Sequence, residues 1–201
     1  MFIGVWNKSV ILTYIGLALG VLGISLILLD AEIKYSLICL MFAGICDLFD
    51  GTVARRCKRT KDEKAFGIEL DSLVDVLNFI AFPLVLIISV NKNIYFLPIY
   101  IMYAIFAVAR LAHFNITSPK NNKPVPHYEG LPVTYAALIF PVIFILYYLI
   151  KENIFIPLIN IIMGIVGILF ILKVKVPKPK LVSSIILLLI SLVMTVVYIL
   201  I

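Results

Sequence analysis

The chain has 201 residues, of which 63% are hydrophobic and only 14% are charged, and its mean hydropathy is +1.15. These values exclude an ordinary soluble globular protein and indicate an all-α polytopic membrane protein, a transmembrane helical bundle. The formal net charge of +6 is better explained by membrane topology than by affinity for nucleic acid, so no nucleic-acid partner is expected.

Apolar segments of the length needed to cross a bilayer as helices, roughly 20 residues each, follow one another along the whole chain. They predict seven spans, with six or eight as alternatives, at about residues 9–29, 35–57, 67–90, 94–116, 131–150, 154–172 and 181–200. No segment between them is long enough for a second core. Residues 1–201 are therefore expected to form a single domain embedded among membrane lipids.

Basic residues are distributed unevenly between the predicted loops. If the N-terminus is cytoplasmic and the spans alternate, only Lys34, Lys92 and Lys151 of the 17 lysines and arginines lie outside, which leaves 14 on the cytoplasmic side. This asymmetry predicts a protein of the cell membrane with a cytoplasmic N-terminus. Basic residues on that side would also attract anionic lipids.

Four aspartates interrupt the second and third spans, namely Asp47, Asp50, Asp71 and Asp75. An ionised carboxylate at membrane depth costs at least roughly 2.5–3.5 kcal/mol, so four of them need a compensating positive charge. Asp47 and Asp75 are nearly equidistant from Lys61, and so are Asp50 and Asp71. A helical hairpin that turns near Lys61 would therefore bring both pairs together, within the cytoplasmic leaflet.

Carboxylates with no cysteine or histidine among them form a hard, all-oxygen ligand set, which suits Mg²⁺ or Mn²⁺. Two divalent cations would balance the four charges, and two-metal sites recur in displacement reactions at phosphorus. Two other interpretations stay open. The aspartates could be salt-bridge partners of Arg55, Arg56 and Arg59, or they could form an ion or proton relay in an ion-coupled transporter.

The segment from Asp47 to Asp75 matches the pattern DxxDGxxAR followed by GxxxDxxxD, which resembles the signature of the CDP-alcohol phosphatidyltransferase family. The matching positions are Asp47, Asp50, Gly51, Ala54, Arg55, Gly67, Asp71 and Asp75. The resemblance implies an enzyme of phospholipid biosynthesis that transfers a lipid phosphate from a CDP-activated lipid to an alcohol and releases CMP. It also implies a homodimer.

The same resemblance implies a role for each motif residue. Two divalent cations would be held by the aspartates, with Asp75 also acting as the general base that deprotonates the alcohol. The CDP-lipid would be bound by Asp47, Asp50, Gly51, Ala54, Arg55, Gly67 and Asp71. Thr13 in the first span could face the cytidine, although a hydroxyl bond to its own helix is favoured.

A second polar stretch closes the fourth span and opens the fifth. The segments RLAHFN, which begins at Arg110, and YEGLP, which begins at Tyr128, are similar to segments of the family's serine-using branch, although His113 and Tyr128 depart from them. This similarity implies L-serine as the acceptor.

Arg110, Asn115 and Glu129 are the candidate groups for binding serine or the lipid phosphate. Simple snorkelling of Arg110 to the interface is nearly as well supported. Glycerol 3-phosphate and an inositol phosphate are the alternative acceptors, and either should need a larger basic pocket. The donor could be CDP-diacylglycerol or CDP-archaeol.

Overall fold

The computed structural model describes residues 3–117, 127–177 and 181–201, with the backbone alone for residues 127–128, 177 and 181–183. Its α-helices in chain order are α1 (Ile11–Leu28), α2 (Ile33–Arg56), α3 (Lys61–Asp75), α4 (Phe82–Val90), α5 (Leu97–Thr117), α6 (Ala136–Leu149), α7 (Glu152–Ile171) and α8 (Leu181–Leu200). Two short strands, β1 (His127–Glu129) and β2 (Lys175–Pro177), pair antiparallel.

The helices confirm the predicted class, an all-α polytopic bundle. Within the described residues, five helical segments are long and apolar enough to cross a membrane: Ile11–Leu28, Ile33–Arg56, Lys61–Val90, Ile94–Thr117 and Glu152–Ile171. Two shorter apolar helical segments, Val133–Leu149 and Ser184–Leu200, complete the set. Each of these seven segments overlaps one of the seven predicted spans.

The largest difference in helix boundaries is at the third span, which begins at Lys61 rather than at residue 67. Thr60 caps this helix, because its side chain accepts a hydrogen bond from the Glu63 amide while the Glu63 side chain accepts one from the Thr60 amide. The turn between α2 and α3 is therefore only Cys57 to Thr60, and both aspartate pairs lie on continuous helix.

The third span also changes its helical form halfway along. Between α3 and α4 the residues Val76–Ala81 form a π-helix, so that Lys61–Val90 is one membrane-length helix with a widened turn in its middle. Three-residue 3₁₀ turns precede α5 and α6, at Ile94–Phe96 and Val133–Tyr135. The apolar pattern of the sequence did not predict the π-helix.

Helix α2 lies at the centre of the packing and contacts α1, α6 and α8, while α5 packs along α7. The core between these helices is filled by large apolar side chains that are almost completely buried, including Leu40, Phe79, Phe140 and Phe155. This arrangement places the aspartate half of α2 between α3 on one side and the start of α6 on the other.

The strand pair links the segment between α5 and α6 to the segment between α7 and α8, at the end of the bundle where α5 and α7 end. Glu129 faces Lys175 in the register of the pair. Gly130 follows β1 with φ +76°, and its backbone approaches the carbonyl of Phe170 so closely that a Cβ would lie 2.4 Å from that oxygen. Both the dihedral angle and the space require glycine at this position.

Candidate active site

The α2–α3 hairpin brings the four aspartates together in the pairs that the sequence predicted. The carboxyl groups of Asp47 and Asp75 lie within hydrogen-bonding range of each other, and so do those of Asp50 and Asp71. One carboxylate oxygen from each of Asp47, Asp71 and Asp75 lies within 4.8 Å of the other two. The residues therefore form one cluster rather than two separate charged sites.

Two hydroxyl groups from other parts of the chain lie beside the carboxylates of α2. Thr13 of α1 donates a hydrogen bond of 3.0 Å to Oδ2 of Asp50, within the buried part of the site. Thr134, in the 3₁₀ turn before α6, lies close enough to hydrogen-bond with Asp47. The bond of the Thr13 hydroxyl to its own helix, which the sequence favours, is therefore wrong, because this hydroxyl bonds to Asp50 of the cluster.

The cluster has an excess of negative charge. Asp50 and Asp75 are each only 8% exposed. Along residues 3–117, 127–177 and 181–201, the ion pairs are Lys34 with Glu32 and His113 with Glu129, and none involves these aspartates. Carboxylates this close together repel one another unless a cation or a proton lies between them. Arg55 is near enough to attract the Asp50 carboxylate, but no ion pair among the described residues joins one of the four aspartates to Arg55, Arg56 or Arg59.

The charge, the spacing and the donor atoms all fit a hard divalent cation. Every donor is a carboxylate oxygen, and Oδ1 of Asp75 is buried with no hydrogen-bond partner among the described residues. An acceptor that is buried and unsatisfied is costly unless something else binds it. Asp47, Asp71 and Asp75 can therefore hold a metal ion, with Asp50 beside them.

A cavity of about 540 Å³ opens beside the cluster. All four aspartates line it, together with Gly51 and Arg55 of the motif. Its volume is within the range of roughly 300–1,000 Å³ that small-ligand sites have. The rest of the wall includes apolar side chains of α2, α6 and α8, so the cavity combines a charged end with an apolar side, as a lipid with a charged head group requires.

The structure separates the remaining motif residues from the cavity. Ala54 and Gly67 are not among its lining residues, although both had been expected to contact the nucleotide. Gly67 instead faces the guanidinium group of Arg59, whose Nη1 would lie 3.8 Å from a Cβ at that position. This is an ordinary contact distance, and Arg59 is a residue that the sequence indicates only as a salt-bridge partner of the aspartates.

Two of the three residues expected at the acceptor site line the same cavity as the aspartates. Arg110 of α5 is buried to 7% exposure, with its guanidinium carbon 5.0 Å from the ring centre of Phe114. Asn115, five residues further on, donates a hydrogen bond of 2.7 Å to Oγ of Ser72, next to Asp71 on α3. Both therefore lie within one site with the carboxylates.

Glu129, the third expected residue, lies elsewhere. Its carboxylate is 3.6 Å from Nε2 of His113, with 65% of the side chain exposed. It lines a smaller cavity of about 160 Å³, to which Arg110 also contributes. The sequence also predicts that the loop from Thr117 to Gly130 lies on the same side as the aspartates and can cover the site, but residues 118–126 of this loop are outside the described residues.

The sequence pattern does not single out Thr134 or Ser72 as site residues. Thr134 follows an irregular segment, and nothing in its local pattern indicates that it points at Asp47. Ser72 does carry such a signal, because it is a polar residue that directly follows Asp71 on the motif helix. In both cases the contact depends on how helices distant in sequence pack together, which spacing along one helix does not report.

The fold and the site thus define a polytopic helical membrane protein with an acidic site between its second and third spans. A family model for CDP-alcohol phosphatidyltransferase matches residues 6–200, and the chain belongs to this family. Its membership agrees with the resemblance that the aspartate motif indicated.

Curated relatives share lower similarity over shorter stretches. Archaetidylserine synthase of Methanothermobacter thermautotrophicus is 30% identical over 115 residues, 56% of this chain and 47% of the relative. CDP-diacylglycerol–serine O-phosphatidyltransferase of Helicobacter pylori is 34% identical over 98 residues, 47% of this chain and 39% of the relative. The matched part therefore spans less than half the length of either relative.

Proposed function

We propose that the protein transfers a phosphatidyl or archaetidyl group from a CDP-activated lipid to the hydroxyl of L-serine and releases CMP. The observation that carries this proposal is the cluster of four aspartates, paired across the α2–α3 hairpin at the charged end of a partly apolar cavity. Such a cavity suits a diphosphate with lipid chains. Membership of the family supplies the reaction class.

The proposed cofactors are two divalent cations, Mg²⁺ or Mn²⁺, held by Asp47, Asp50, Asp71 and Asp75. Four carboxylates balance two such ions in charge, and their oxygen atoms are the donors that these ions prefer. When bound, the cations would neutralise the charge of the diphosphate and of the leaving CMP. Arg55 and Gly51, which also line the cavity, would bind the nucleotide part of the donor.

Asp75 is the proposed general base. It is buried, lines the cavity and has one carboxylate oxygen without a hydrogen-bond partner in the described residues, so that oxygen is available to a substrate hydroxyl. Asp75 would take the proton of the serine hydroxyl as its oxygen forms a bond to the lipid-bearing phosphorus. The bond from that phosphorus to the bridging oxygen breaks, and CMP leaves with this oxygen.

Serine is the proposed acceptor because both relatives carry serine in their names and because the cavity holds few cationic groups. Among the described lining residues, Arg55 and Arg110 are the cationic side chains. Arg110 would bind the serine carboxylate or the lipid phosphate, and Asn115 would orient the amine or hydroxyl. Glu129 remains a candidate for the ammonium group, although it lines only the smaller cavity.

The assay that tests this function measures CMP release by purified protein with a CDP-lipid, Mn²⁺ or Mg²⁺, and serine. We expect CMP release that depends on serine and stops on chelation, with glycerol 3-phosphate as a poor substitute. CDP-diacylglycerol and CDP-archaeol are compared in parallel because the proposal allows either lipid as the donor. Absence of serine-dependent release with either lipid would refute the assignment.

In the same assay, Asp75→Asn tests the proposed base. The amide keeps the size of the side chain but accepts a proton poorly, so we expect turnover to fall by at least about a hundredfold. Binding of the CDP-lipid should change little, because other carboxylates remain. Loss of binding together with turnover would instead assign Asp75 mainly to the metal ions.

A further inference from the structure

The π-helical turn of the third span begins directly after Asp75 and has a cause in the sequence. Proline at position 83 has no amide hydrogen, and its ring collides with the carbonyl of the residue four positions earlier, Phe79, in a regular α-helix. Widening the helix over Val76–Ala81 relieves that collision, and the Phe82 amide bonds to the Leu77 carbonyl five residues back.

Tyr103 of α5 supplies the hydrogen bond that Pro83 cannot give. Its hydroxyl donates to the Phe79 carbonyl at 2.7 Å, and the tyrosine is fully buried. The ring packs against the aromatic rings of Phe140 and Phe170, which leaves it no room to turn away. The widened turn is thus held by one specific side chain of a different helix.

The same hydrogen bond fixes α5 relative to the aspartates. Tyr103 and Arg110 are seven residues apart, so they lie on the same face of α5 and roughly 10 Å apart along it. On the third span, Phe79 lies four residues after Asp75, which is about one helical turn. Tyr103 therefore joins the two helices at a point one turn from Asp75 and two turns from Arg110, and both of these residues line the large cavity.

We propose that Tyr103 is a positioning residue for the transfer reaction: by holding the π-helical turn at Phe79, it sets the position of Asp75 relative to the substrates and to Arg110. This inference rests on the proposed function, because Asp75 is the proposed base. It concerns the position of the base and not the capture of the donor lipid, so it predicts an effect on kcat rather than on KM.

Tyr103→Phe tests the proposal because it keeps the packed ring and removes only the hydroxyl. We expect kcat for CMP release to fall about tenfold, since small displacements of a reacting group are costly to the rate. The KM values for the CDP-lipid and for serine should stay within about twofold of the wild type. A kcat within twofold of the wild type would overturn the proposal.

Tyr100→Phe is the matched control. Tyr100 is also a buried tyrosine of α5, but its hydroxyl accepts a hydrogen bond of 3.2 Å from Asn91 at the far end of α4. Both variants lose one buried hydroxyl, so their thermal stability in detergent should fall by similar amounts. We expect Tyr100→Phe to retain kcat. An equal loss of kcat in the two variants would show a merely structural role and overturn the proposal.

If Tyr103→Phe proves too unstable to assay, the double variant that combines Tyr103→Phe with Pro83→Ala replaces it in the test. Alanine restores an amide hydrogen that can bond to the Phe79 carbonyl in a regular helix, so stability should recover. The widened turn would then be lost, and we expect kcat to stay low. Recovery of kcat together with stability would overturn the proposal. An inactive wild-type protein would refute the proposed function itself, a result distinct from an active wild type with an unaffected Tyr103 variant.

Discussion

Thr13 is the side chain that connects the first helix to the carboxylate cluster. Its hydroxyl donates a hydrogen bond of 3.0 Å to Oδ2 of Asp50. Hydrogen bonds of this kind orient metal-binding carboxylates, and their loss typically weakens metal affinity by roughly 10–100-fold. Thr13 is therefore expected to matter for binding of the proposed cations more than for the stability of the bundle.

We predict that Thr13→Val weakens the apparent affinity for Mn²⁺ by about tenfold, because Asp50 loses the hydrogen bond from the Thr13 hydroxyl and gains freedom to rotate. The measurement is the metal dependence of CMP release, together with calorimetric titration of Mn²⁺. Thr13→Ser is the control, since it keeps the hydroxyl and should bind metal as the wild type does. Equal metal affinity in Thr13→Val and wild type would show that Asp50 needs no such orientation.

At the scale of elements, α1 approaches the third span so closely that glycine is required along its contact face. A Cβ at Gly20 would lie 1.8 Å from Oδ1 of Asn78, and one at Gly23 would lie 2.2 Å from the ring of Phe82. Asn78 is itself fixed, because it is buried and its amide donates a hydrogen bond of 3.1 Å to the Gly16 carbonyl. Small residues let membrane helices pack in this way.

We predict that Gly20→Ala destabilises the protein by about 1–3 kcal/mol, because the added methyl group must displace Asn78 from the contact with α1. Thermal unfolding in detergent measures the effect. Gly164→Ala is the matched control on α7, where a Cβ would make ordinary contacts of 3.7 and 3.8 Å with Ile99 and Met102. That variant should be as stable as the wild type or slightly more stable, and a similar loss in both would contradict the close-packing argument.

These elements also show which parts of the fold and site were predictable from sequence. The spans followed from apolar length, and the aspartate pairs followed from helical spacing, because both depend on local regularity. The start of α3 at Lys61 was missed because charged residues there are not apolar, although Thr60 and Glu63 already carried a capping pattern.

The remaining features depend on contacts between distant segments. The bonds of Thr13 to Asp50 and of Tyr103 to Phe79 join residues 37 and 24 positions apart, and no periodicity reports them. Motif similarity groups Glu129 with Arg110 and Asn115, but Glu129 lines the smaller cavity, which it shares with Arg110 and not with Asn115. A motif fixes which residues occur together, whereas the backbone between them decides which share a site.

At the scale of the whole molecule, the helices alternate so that the α2–α3 turn, the end of α5, the strand pair and the start of α8 all lie at one end of the bundle. Asn115 near the end of α5 bonds to Ser72 of α3, and β1, which precedes α6, pairs with β2, which lies between α7 and α8. Exposed basic residues of the α2–α3 turn are concentrated at this end, whereas Lys92 and Lys151 lie in connections at the other. The positive-inside rule then predicts that the aspartate site opens toward the cytoplasm.

The native cysteines allow this orientation to be tested. Cys57 lies partly exposed in the α2–α3 turn, while Cys39 and Cys46 are buried within α2. A membrane-impermeant maleimide should therefore label Cys57 in inside-out vesicles but not in intact cells, and Cys57→Ser should abolish the labelling. Lys92→Cys in the Cys57→Ser background should show the opposite pattern, because Lys92 is exposed at the other end. Labelling of Cys57 in intact cells would contradict the predicted topology. It would place the site on the outer side of the membrane, where a CDP-lipid supplied from the cytosol could not reach it.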